Sequence, residues 1–133
     1  MRLETRPHGT PSEVHWGSDV ESLSFSSKGL TVRLAREVSG EGQVHGLDVS
    51  FPDASAFRYL DELDLARYWS SEGFVRGYPV LEVLAGGWCD EEMELQQYEN
   101  RRREWLVVTG NGCVSVLAPT DPTVKAEEWL RDA

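Results

Sequence analysis

Histidine and cysteine are scarce in this chain, and each scarcity removes a kind of chemistry. Three histidines occur in 133 residues, His8, His15 and His45. None has a partner at HxxxH or HxH spacing, so no metal-binding pair is expected. The two cysteines, Cys89 and Cys113, fit no CxxC or zinc-ligand spacing. They read as reduced thiols that serve as small packing residues. No serine sits in GxSxG, and there is no GxxxxGK[ST] loop, so neither common nucleophile elbow nor phosphate loop is present. Cys89, beside Asp90, lacks the electropositive surroundings a nucleophilic thiol needs. No apolar run approaches the roughly 20 residues that span a bilayer, so no membrane association is expected. The first 17 residues show no apolar stretch behind Arg2, and no secretory leader is expected. These absences point to a cytoplasmic protein without a catalytic, cofactor or metal centre.

Positive charge is also short. Thirteen Lys and Arg stand against 23 Asp and Glu, a formal net charge of −10. The excess is local: residues 46–100 hold 3 basic and 12 acidic side chains, so this segment carries −9 of the total. Such a field repels a phosphate backbone, which argues against nucleic acid as a partner, and it attracts a basic protein.

What remains is an ordinary globular composition, 40% hydrophobic and 27% charged, in a length that suits one domain covering residues 1–133. Residues 1–20, with Pro7, Gly9, Pro11 and Gly17, read as an irregular lead-in. Alternation in "SLSFSSKGLTVRLARE" predicts a hairpin turning at Lys28-Gly29, and Leu47, Val49 and Phe51 predict a third strand ended by Pro52-Asp53. "FRYLDELDLARYWSS" predicts a helix with Asp61 as N-cap, Asp64 at the third helical position, and Leu60 and Leu65 as a hydrophobic staple. Val80–Leu84 has one polar residue in five and predicts a strand covered on both faces. "REWLVVTGNGCVSVLAP" predicts a tight hairpin pairing 104–109 with 113–118. Asp121 and Pro122 predict the start of a terminal helix carrying Trp129 and Leu130. The fold class expected is α+β, a mainly antiparallel sheet with two or three helices.

The stretch "GGWCDEEMELQQYENRRREW" concentrates the candidate chemistry. Asp90, Glu91, Glu92 and Glu94 crowd one segment. In a helix, Asp90 and Glu94 share a side and invite Mg²⁺; in a strand, Asp90, Glu92 and Glu94 do. Other readings are a solvated face and a docking surface for a basic partner. Asp61, Glu62 and Asp64 are candidate neighbours in that surface. Arg101, Arg102 and Arg103 read as internal neutralisation, with Glu99 able to pair Arg103 if the helix continues. Of the five tryptophans, Trp16, Trp69, Trp105 and Trp129 read as core, and Trp88 as an interface anchor beside the acids.

"FRYLDELDLARYW" and "REWLVVTGNGCVSVLAP", with "GGW" between them, resemble small bacterial immunity-type proteins of polymorphic toxin systems, over roughly residues 47–120. The resemblance implies a short acidic cytosolic α+β domain that blocks a toxin-like basic protein without catalysis. The competing expectation is a small enzyme or ligand-binding domain in which the carboxylates at 61–64 and 90–94 converge in a pocket.

Overall fold

The computed structural model describes residues 2–12, 14 and 16–131, apart from the side chains of Glu62 and Arg67. Nine strands and two helices occur among these residues, and the strands form two antiparallel sheets. The strands are β1 (Glu4–Pro7), β2 (Asp19–Ser26), β3 (Gly29–Val38), β4 (Gln43–Phe51), β5 (Ala56–Asp61), β6 (Val80–Ala85), β7 (Glu104–Val108), β8 (Gly112–Leu117) and β9 (Thr123–Leu130); the helices are α1 (Glu62–Trp69) and α2 (Trp88–Gln96). The larger sheet has the order β1-β6-β7-β8-β5, the smaller β2-β3-β4-β9.

The period of two in each strand divides the core into two layers. Leu30, Val32, Leu34, Leu47, Val49 and Phe51 of the smaller sheet meet Val80, Trp105, Val107, Val114 and Val116 of the larger one. The alternate residues Leu81, Val83, Leu106, Val108 and Cys113 face the other way and pack on Leu65 and Tyr68 of α1, with Leu3 and Phe74. The larger sheet is thus the middle layer, and β7 and β8 are buried along their whole length. This is why their sequences are apolar at nearly every position.

The expected hairpin forms in register, with Val108 opposite Cys113 and Glu104 opposite Leu117. The Asp61 carboxylate accepts from the backbone N–H groups of Leu63 and Asp64, at 3.0 and 3.2 Å, so the predicted cap is made. Leu60 and Leu65 both join the helix-side core.

Two expectations are corrected, for the lead-in and for the terminal segment, and one strand is an addition. Residues 4–7, within the anticipated irregular lead-in, form β1 and pair with β6. Residues 56–61 form β5 before the α1 cap. The terminal segment is strand β9, not a helix: it pairs with β4 from Gln43↔Leu130 to Ser50↔Thr123. Helical propensity in "KAEEWL" loses here to an eight-residue ladder and a seat for Trp129. Gly46 leaves the space that the Trp129 ring fills, since a Cβ there would stand 2.6 Å from it, and Arg33 covers the ring at 4.5 Å.

Candidate functional site

The acidic run is helical, and its helix is fastened from below. Gly87 is the N-cap of α2 and makes no side-chain cap bond. The cap is supplied by a distant residue, Glu104 at the start of β7. Its carboxylate accepts from the backbone N–H of Trp88 at 3.0 Å and of Cys89 at 2.7 Å. A carboxylate at a helix N-terminus also meets the positive end of the dipole. Glycine at 87 permits the approach: a Cβ there would lie 2.6 Å from a Glu104 carboxylate oxygen. Glu104 is 2% exposed. Burial pushes its carboxyl above the usual range, against the two N–H groups and the Arg58 guanidinium, which favour the charged form.

Asp90 is fixed as well. It accepts from the Gly86 N–H at 2.6 Å and pairs with Arg101 at 2.7 Å. Burial works to raise its carboxyl, yet these two donors outweigh burial and hold it below the usual range. Trp88 is half-buried; its Nε1 donates to Glu92 at 3.1 Å and its ring carries Arg58 at 5.0 Å. Arg58 also donates to the Tyr68 hydroxyl of α1 at 3.0 Å, tying the two helices to one strand. Trp88 and Asp90 therefore hold the helix in place, while Glu92 meets Trp88 within the helix itself. Glu91 is half-exposed and Glu94 exposed. Beyond them Leu95 and Tyr98 are 77% and 59% exposed, an apolar addition the sequence analysis overlooked.

Gln97 ends α2 in the left-handed region, φ 60°, so the Glu99–Arg103 helical pair does not arise. Arg103 instead binds Glu82 at 2.9 Å and Asp121 at 2.7 Å, while Arg6 takes the other Glu82 oxygen. Burial works to raise the Glu82 carboxyl, but the two guanidinium groups prevail and hold it low.

The other acidic candidates lie elsewhere. Asp61 is opposite Gly112 at the far end of β8, whereas the start of α2 sits on Glu104, opposite Leu117. The N-termini of the two helices thus stand toward opposite ends of the larger sheet. Asp64 is exposed; the Glu62 side chain lies outside the described residues, as does His15. Among the described residues no group of three or more His, Cys, Asp or Glu side chains could hold a metal ion.

Of the tryptophans expected in the core, Trp105 is buried, Trp69 and Trp129 are half-buried, and Trp16 is 90% exposed. Trp16, Trp69, Phe74 and Tyr78 line a cleft of about 430 Å³ at the Val108 end of β7, with Arg76 over the Phe74 ring. Among the described residues no carboxylate lines it. Its aromatics are spread across residues 16–78, so only the fold unites them.

Fold and surface together define a class: a two-sheet antiparallel protein whose helix layer displays an anchored acidic helix. No protein-family model matches the chain, and comparisons with curated proteins and with solved structures find no match either.

Proposed function

We propose that the protein is a non-enzymatic binding protein that engages a basic, toxin-like protein through the outer face of α2, in the manner of an immunity protein. One observation carries this reading. α2 is pinned by Glu104, Asp90 and Trp88, yet Glu94, Leu95 and Tyr98 face solvent. Rigid backbone, outward carboxylates and an apolar centre are what a protein-docking face needs. The anchoring role given to Trp88 by sequence passes to Leu95 and Tyr98, because Trp88 is engaged by Arg58 and Glu92. The reading places the protein in the cytoplasm, where its two free cysteines stay reduced. We class the architecture as α+β, since both helices follow strands of the larger sheet and α1 packs on its outer face.

The test is capture from native host extract at low salt, followed by kinetics with the recovered partner. Glu91, Glu92 and Glu94 changed together to Gln should slow association and flatten its salt dependence. Leu95→Ala should mainly speed dissociation. An unchanged association rate and salt slope would reduce the acids to a solvated face. A second reading, a small-ligand domain, draws on the aromatic cleft and its volume. Its carboxylate-pocket version has only part of the expected set: Asp90, Glu91 and Glu94 line a separate open depression beside Arg101, and Asp61 and Asp64 do not join them there.

A further inference from the structure

β9 closes one edge of the smaller sheet, and among the described residues no strand lies beyond it. Its hydrogen-bonding parity can be read from one bond. The Arg131 N–H donates to the Gly42 carbonyl at 2.9 Å, and Arg131–Gly42 continues the β4–β9 register. Bonded and non-bonded pairs alternate along an antiparallel ladder. Thr123, Lys125, Glu127 and Trp129 therefore bond to β4. Val124, Ala126, Glu128 and Leu130 aim their N–H and C=O groups at the open edge. The strand has no bulge and no internal proline, two of the devices that protect an edge.

We infer that this edge pairs with β9 of a second copy of the chain, antiparallel across a two-fold axis at Ala126. Charge selects both the occupant and the register. A two-fold axis perpendicular to the sheet must pass through a residue position, so that each side chain meets one on its own face. Centred on Lys125, Glu127 or Glu128, the pairing would set a like charge against itself at the axis. Centred on Ala126, it sets Lys125 opposite Glu127 of the second copy, twice, on the outer face. That pair is of the non-bonded type, in which opposed side chains come closest. Lys125 and Glu127 already meet within one chain at 3.2 Å, which confirms that they share a face. Isologous symmetry requires such self-complementarity. Val124 and Leu130, 42% and 69% exposed, add apolar surface along the same strand.

Pairing of one strand per subunit makes a small interface, so the dimer should be weak and visible only at high concentration. Sedimentation equilibrium from about 1 μM to about 1 mM brackets such affinities. The expected result is reversible dimerisation that Ala126→Pro abolishes. The Ala126 N–H faces the open edge, so proline there removes no bond to β4. Lys125→Glu alone and Glu127→Lys alone should each be monomeric, their equimolar mixture should form a heterodimer, and the double swap K125E/E127K should dimerise again. Circular dichroism checks that every variant is folded. A wild-type monomer throughout, or a dimer indifferent to Lys125→Glu, overturns the inference.

Discussion

Two carboxylates at the start of α2, the buried Glu104 and the half-buried Asp90, behave oppositely, and pH should separate them. Glu104 is held above its usual range by burial, whereas Asp90 is held below, because Gly86 and Arg101 outweigh its burial. A raised carboxyl binds a proton more tightly folded than unfolded. Its contribution to stability therefore declines as pH rises from the ordinary carboxylate range through its folded value. A lowered carboxyl contributes stability above the ordinary range and loses it as pH falls through its folded value. In thermal melts against pH, the Glu104→Gln variant should gain on the wild type as pH rises from the ordinary Glu range, whatever its constant offset. Asp90→Asn should lose most near neutrality and approach the wild type in acid. Parallel melting curves for Glu104→Gln and wild type would show that Glu104 does not titrate abnormally. Gly87→Ala should cost about 1–3 kcal/mol, because its Cβ displaces the Glu104 carboxylate from two buried N–H groups.

At the level of elements, the hairpin and α1 were legible because each carries a local code. Alternation flanks "GNG", and Asp61 precedes an apolar stripe, so neither needs distant information. Asp61→Ala should cost about 1 kcal/mol and lower the thermal midpoint by a few degrees; an unchanged midpoint would make the cap redundant. β9 was not legible, because "TVKAEEWL" holds both helical residues and a broken alternation, and the vacant edge of β4 decides between them. β1 was hidden by Pro7 and by the glycines and proline that follow it, and by needing β6, more than 70 positions away. The acidic run was legible as a cluster, but its anchorage was not. That depends on Glu104, which belongs to the next strand and reads in sequence as one more surface acid. Leu95 and Tyr98 were missed because nothing local says that the last turn of α2 and the segment just after it stay exposed.

The whole molecule is ordered around its middle layer, and this sets where it should open first. β7 and β8 are covered by the smaller sheet on one side and by α1 with its apolar partners on the other. Every residue from Glu104 to Thr109 and from Gly112 to Ala118 is buried. Opening them exposes two cores at once, so their amides should exchange only through global unfolding. β9 has one neighbour and is exposed at most positions. α2 buries only Cys89. Both can detach while the two cores persist. Native-state hydrogen exchange should therefore rank β7 and β8 slowest, with β9 and α2 faster by orders of magnitude and insensitive to low denaturant. Val107→Asp tests the same hierarchy from the other side. An unpaired charge in the sheet–sheet core should cost several kcal/mol and unfold the molecule as a unit, whereas Glu94→Gln on the outer face of α2 should leave the midpoint within error. Exchange from β7 as fast as from β9 would mean that the sheets separate before the chain unfolds.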